Sequence, residues 1–175
     1  MSVYLAMPLD KSYANGICRN QNKEKVVAKT VDHFRVRNER DILLRFQNRT
    51  PFIRPLLDEI DTASSFPILV LRYLDDILHA SNRRRLTRQE VRYVAKRVLE
   101  ALSVLHSDGF DIKPSNVLVN YGQAGLRFED IQLTDFESTV HMDSPYSRDG
   151  DSIGTPIFRS PEAHLQMKWG TTTDI

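Results

Sequence analysis

The sequence predicts an α+β fold, and three observations predict it. Short β-type runs cluster in the first seventy residues, at Val3–Met7, Lys25–Val31 and Ile68–Leu71. Two later segments, the apolar run Val117–Val119 and the alternating Ile131–Leu133, read as further strands. Between them lie two stretches with helical spacing, His33–Phe46 and Thr87–Leu105. With 175 residues, 41% hydrophobic and 27% charged, the chain has the size of one domain with a sizeable core and the composition of an ordinary globular protein. A net charge of +1 gives no general drive toward nucleic acid or an anionic membrane.

In chain order, Val3–Met7 reads as a strand closed by Pro8. Asp10–Glu24, with Ser12, Asn15, Gly16 and Asn20, reads as a loop. Met1–Asp10 lacks a basic region ahead of an apolar run, which makes it a poor signal peptide. No stretch approaches the ~20 apolar residues that span a bilayer. Cys18 is the single cysteine, so no intrachain disulfide can form, and the expected setting is an intracellular one, cytoplasmic or nuclear, with no membrane partner.

Lys25–Val31 is a β-rich run that carries Lys29. In His33–Phe46, apolar residues at Phe34, Val36, Ile42, Leu43 and Phe46 mark one narrow buried face of a charged helix. Glu39 lies on that helix, where Arg35 four residues earlier offers it a surface partner. Pro51–Ile60 and Phe66–Leu71 hold apolar clusters, and Ile68–Leu71 reads as a buried strand. Asn82–Arg97 carries seven basic residues. No aromatics interleave them in a groove-like pattern, so they read as a solvated face and nucleic acid is not the expected partner. Thr87 and Glu90 form a capping box. Val91, Val94, Ala95, Val98, Leu102 and Leu105 then share a helix face that Gly109 should end.

The chemistry concentrates in Asp111–Asn120, Asp-Ile-Lys-Pro-Ser-Asn-Val-Leu-Val-Asn. Asp111 can accept a proton from a hydroxyl nucleophile, Lys113 can neutralise a transferring phosphoryl group, and the Asn116 carbonyl can ligate a hard cation. Pro114 suits a rigid loop, and a polar turn ahead of a buried strand is the structural alternative.

This segment resembles the catalytic loop of eukaryotic protein kinases, His-Arg-Asp-Leu-x-x-x-x-Asn. Three more motifs stand in that family's order. Val27-Ala28-Lys29 resembles its Val-Ala-x-Lys strand, and Thr134-Asp135-Phe136-Glu137 its Asp-Phe-Gly motif. Gly154–Glu162, with Gly-Thr-Pro at 154–156, resembles the end of its activation segment. The resemblance implies one partial kinase domain over 1–175, similar to serine/threonine kinases. An antiparallel sheet with the family's C helix and the hinge would occupy about 1–73. An incomplete helical lobe would occupy about 74–175, ending near the start of the F helix.

The same resemblance implies the site. Lys29, paired with Glu39, would hold the phosphates of ATP, while Asn116 and Asp135 hold Mg²⁺. Leu71 would be the gatekeeper, and Arg72, Tyr73 and Leu74 the hinge whose backbone meets adenine, with Leu118 also at the nucleotide. Asp111 and Lys113 would be catalytic, and Thr155 would bond near Asp111. The partners implied are a nucleotide and a protein substrate or other protein partner.

The departures are specific. About three residues are absent between Phe110 and Asp111, a deficit of roughly 10 Å of extended chain. If the preceding helix makes this up by unwinding, about five or six residues around Leu105–Gly109 should open. Glu137 stands where the family has glycine, and no glycine-rich loop precedes Lys29, the first glycine being Gly16. Phosphoryl transfer and a non-catalytic binding module, as a degenerate kinase or a fragment, therefore both stay open.

Overall fold

A computed structural model describes residues 14–20, 22–30, 35–61, 67–77, 84–111, 117–122, 127–150 and 159–174. Val3–Met7, Lys113, Asn116 and Thr155 lie outside them.

The upper part is a four-stranded antiparallel sheet of β1 (Ala14–Arg19), β2 (Lys25–Thr30), β3 (Leu56–Ile60) and β4 (Ile68–Arg72), ordered β1-β2-β4-β3. Strand alternation decides which way β2 aims its side chains. Val26 and Ala28 pack with Cys18, Val70 and Ile60 on one face. Val27 packs into the main core, and Lys29, two residues on, shares its face. The expectation of a loop over Asp10–Glu24 is corrected here. Ala14–Arg19 pairs with β2 along its whole length, from Ala14 opposite Thr30 to Arg19 opposite Lys25. Its polar composition hid a strand whose partners come from the neighbouring strand, and the actual turn is Asn20–Glu24. There the Asn20 side chain accepts from the Glu24 N–H at 2.9 Å.

Helix α1 (Arg35–Phe46) follows β2 and buries Val36, Glu39, Ile42, Leu43 and Phe46, one face at helical spacing. Helix α2 (Arg88–His106) begins at the predicted capping box. Thr87 Oγ1 accepts from the Glu90 N–H at 3.2 Å, and the Glu90 carboxylate accepts from the Thr87 N–H at 2.6 Å. Of its predicted face, Leu102 and Leu105 are buried, whereas Val91 stays about half exposed, at 49%, as does Leu99 off that face.

A second sheet runs β5 (Asp75–Asp76), β7 (Val117–Tyr121) and β8 (Phe128–Leu133), and packs on α2 through Val119, Phe128 and Ile131. Between them, β6 (Phe110–Asp111) pairs antiparallel with β9 (Val140–His141). Short helices α3 (Pro145–Arg148) and α4 (Pro161–His164) follow, and Trp169 packs with Ala163 and Val140.

Helix α2 does not unwind to accommodate the shortened loop. It stays helical through His106, with its cap at Ser107. Gly109, at φ +74°, then turns the chain at once into β6. A side chain there would also meet His141, whose Nε2 would lie 2.8 Å from a Cβ. The expected opening of the helix end is thus corrected, and glycine permits the left-handed turn found after it.

One core joins the two parts: Leu43 and Phe46 of α1, Leu69 and Leu71 of β4, Leu102 and Leu105 of α2, and Leu133 and Phe136 belong to one cluster. The segment before β3 stitches it to the second sheet. Leu133 donates to the Phe52 carbonyl at 2.8 Å, and Arg54 donates to the Leu133 carbonyl at 2.9 Å. The buried Arg54 side chain bonds the Arg72 carbonyl through Nε at 2.7 Å and the Thr134 hydroxyl through Nη1 at 3.2 Å. Burial pulls this guanidinium down to about 10, with the charge of Glu39 opposing.

At the far end of α1, Arg45 and Arg49 grip Asp108 at 2.7 and 2.8 Å, while Phe46 meets Phe110 edge-on at 5.5 Å. Hydrogen bonds from Arg49 and Arg45 hold the Asp108 carboxyl well below the ordinary carboxylate range. A depressed folded-state pKa stabilises the fold above the unfolded value of 3.8 and loses that contribution as pH falls below it. The difference in thermal midpoint between wild type and Asp108→Asn should thus be full at pH 7 and shrink progressively below pH 3.8. Melts followed by circular dichroism at stepped pH check this.

Candidate functional site

The site lies where β2, α1 and the end of β8 converge. Lys29 Nζ meets Glu39 Oε2 at 2.6 Å, Glu137 Oε1 at 2.7 Å and Asp135 Oδ1 at 3.2 Å. Burial works against the ammonium. The charges of Glu39 and Asp135 and the bond to Glu137 outweigh it and hold Lys29 well above its usual range. Glu39, 1% exposed, is pushed up by burial, and Lys29 pulls against that shift without cancelling it. The ammonium's three N–H donors thus face three carboxylates.

Helix α1 also fixes the segment that follows β8. Asn38, one residue before Glu39, directs Nδ2 at the carbonyls of Phe136, Glu137 and Thr139, at 3.2, 3.0 and 2.9 Å. Phe136 is buried in the same core cluster as Leu43. Asp135 takes the left-handed conformation at φ +62°, an unusual state for a non-glycine residue that asparagine and aspartate tolerate best. Glu137, which replaces the family's glycine, keeps a negative φ. The turn's conformational demand falls on Asp135, and the glutamate is accommodated.

Among the other predicted residues, Leu71 is fully buried on β4, opposite Val27. Tyr73 and Leu74 connect β4 to β5. The Tyr73 hydroxyl bonds Asp75 at 3.3 Å, and Lys25 Nζ sits 5.1 Å from its ring. Leu118, half-buried on β7, pairs with Gln132. Asp111 has its backbone in β6, opposite Val140.

Sequence reasoning missed three participants. Asn38 gave no signal beyond standing next to Glu39. Arg54 read as part of an apolar cluster. Glu137 stands out as a departure from the family, but nothing in the sequence says that its carboxylate reaches Lys29.

The carboxylates of Glu39, Asp135 and Glu137 offer oxygen atoms within 4.8 Å of one another. Lys29 is the cation they share here. Asp135, the most exposed of them, is the hard oxygen donor that fits Mg²⁺, which takes few protein carboxylates and shares the rest of its sphere with water and phosphate.

The model of the protein kinase domain matches residues 3–175, nearly the whole sequence. This chain belongs to the protein kinase family. It is 27% identical over 134 residues to the serine/threonine-protein kinase pakF of Dictyostelium discoideum, covering 73% of this chain and 11% of that protein. It is 30% identical over 93 residues to shk1/pak1 of Schizosaccharomyces pombe, covering 51% of this chain and 13% of that one. Over 94 residues it is 29% identical to human PAK 4, 52% of this chain and 15% of PAK 4. The chain therefore spans only a small part of the length of these relatives. Among solved structures it superposes on a chain of the yeast RNA Pol II CTD kinase CTDK-1 complex with a TM-score of 0.77. That likeness, at 20% identity, covers 99% of this chain and 58% of the other, and it shows the kinase fold. Among the described residues, no helix is long and apolar enough to cross a membrane.

If Asn38 is what holds the 136–139 segment against α1, Asn38→Leu should free it while leaving the β2–β4 pairing intact. Hydrogen exchange should then rise at the amides of 136–140 and stay unchanged at 26–29. Equal protection in both proteins would show that Phe136 burial alone holds the segment.

Proposed function

We propose that this kinase domain binds Mg-ATP through Lys29 and Asp135 and is arranged for transfer of the γ-phosphoryl group to a serine or threonine hydroxyl of a protein. The observation that carries the reading is the buried Lys29–Glu39 pair at 2.6 Å with Asp135 at 3.2 Å from the same ammonium. A cation fixed by a buried carboxylate beside a more exposed one is suited to grip nucleotide phosphates and to place a metal-binding oxygen next to them.

In this scheme Glu39 orients Lys29, and Lys29 donates to phosphate oxygens. Asp135, with Asn116, offers oxygen to Mg²⁺, which when bound neutralises charge on the β- and γ-phosphates. Asp111 accepts the proton of the attacking hydroxyl, and Lys113 offsets charge on the transferring group. Leu71, Tyr73, Leu74 and Leu118 bound the adenine side, and Thr155 supports Asp111 from the activation segment. The resemblance to the family supports these roles, and the protein substrate is its phosphoryl acceptor.

A second reading, a domain that binds nucleotide or a protein partner without catalysis, is favoured by one feature. Asp111 sits in β6 directly after Phe110 and opposite Val140. The family's three additional residues, which would separate those two positions, are absent. Phosphoryl transfer depends on positioning, and an error of about 1 Å can lower the rate ~100-fold.

Two measurements test these readings. Titration with a fluorescent ATP analogue should show Mg²⁺-dependent binding that is lost in the Lys29→Ala, Asp135→Ala double variant. An equal signal from both proteins would remove the site assignment. With labelled ATP and a generic serine/threonine substrate, transfer should be slow, at least ~100-fold below that of a kinase with the full loop, and Asp111→Ala should abolish it. Inserting Val-His-Arg between Phe110 and Asp111 should raise the rate if loop length is the limiting defect. Complete absence of transfer from both the wild type and the insertion variant would decide for the binding module.

A further inference from the structure

Resting on the reading of Lys29 as the phosphate-holding cation, we propose that Glu137 is an internal counter-ion that occupies Lys29 in the nucleotide-free domain and limits how tightly phosphates bind there. The contact is direct, Oε1 to Nζ at 2.7 Å, shorter than that of Asp135 at 3.2 Å. With Glu39 at 2.6 Å, the three carboxylates take up the donors of the ammonium. A phosphate oxygen can bond Lys29 only by displacing one of them.

Glu39 is the deepest of the three and is held on α1, so it stays. Asp135 has the longer bond and a side chain 40% exposed, and it is the residue that would turn its oxygen toward a metal. Glu137 remains as the direct competitor. It cannot easily drift away, because Asn38 bonds its carbonyl and those of Phe136 and Thr139. That staple keeps the base of the side chain beside Lys29 while its carboxylate swings. Even when displaced, the carboxylate remains near the arriving phosphates and repels them. A glycine here would impose neither effect, so affinity is set by a side chain that the kinase mechanism does not use.

The test compares Glu137→Gln and Glu137→Gly with wild type by titration with a fluorescent ATP analogue, with and without Mg²⁺. Thermal melting of each variant checks that it folds. Both substitutions should tighten binding by at least about threefold, with the gain present in the absence of Mg²⁺. The gain should disappear in a Lys29→Ala background. If that background does not fold, Glu137→Asp serves instead. It keeps the charge but withdraws it by one methylene, and it should tighten binding less than Glu137→Gln.

Unchanged affinity in Glu137→Gln, with binding still dependent on Lys29 and Asp135, would overturn this proposal and leave the nucleotide site standing. Weaker binding confined to the Mg²⁺ titration would overturn it by making Glu137 a metal ligand. If no variant binds the analogue, the nucleotide reading and this inference fall together.

Discussion

A lysine ammonium can be buried only where opposite charge replaces the water it gives up, and at Lys29 that requirement organises three separate elements. Strand β2 must present the residue on its inner face. Helix α1 must lie close enough for Glu39 to reach 2.6 Å, and the chain leaving β8 must turn back with Asp135 and Glu137 beside it. Removing one partner of such a pair strands the other in a poorly solvated place, at a cost of about 3–5 kcal/mol. Sheet, helix and turn are thereby coupled through one nitrogen. The same coupling makes the site sensitive to a single additional carboxylate.

The rest of the molecule reinforces the position of α1. Along its length the helix is held by Asn38 to the segment after β8, by Leu43 and Phe46 in the shared core, and by Arg45 and Arg49 at Asp108. These contacts run from its first turn to just beyond its end and reach both the sheet above and the helix below. The Arg–Asp108 contacts are the more exposed, and salt screens them more than it screens the Lys29 cluster. Phe46 is completely buried and lies edge-on to Phe110, so the strand that carries Asp111 packs on the helix that carries Glu39. That aromatic contact adds to the shared core in joining the upper sheet and its helix to the lower part.

Much of the fold is legible in the sequence because the signals are local. Thr87 and Glu90 announce the start of α2 by capping chemistry, Gly109 announces its end, and the apolar spacing around Ile42 and Leu43 announces α1. The strands that failed to announce themselves depend on partners. Ala14–Arg19 contains Asn15 and Gly16 and becomes a strand because β2 offers it a complete edge. At the site, Lys29, Glu39 and Asp135 are legible only as members of a motif set, since their separation along the chain carries no geometry. The reach of Glu137 to Lys29 and of Asn38 to three carbonyls depends on how α1 packs, and no sequence pattern encodes either. The shortened loop before Asp111 is legible as an omission. That α2 still runs through His106, with Gly109 turning the chain into β6, is a backbone outcome invisible to residue counting.

Arg54 has a mechanical consequence. Its guanidinium ties the carbonyl of Arg72, where the upper sheet ends, to the hydroxyl of Thr134, next to Asp135. A tilt of the upper sheet over the lower part must lengthen one of those bonds or carry Thr134 along with it. The fulcrum of such a tilt therefore sits at a buried side chain as well as in the connecting residues 73–74. Any such tilt would be geared to the carboxylate of Asp135, so that a change at residues 72–74 is delivered as a displacement beside Lys29.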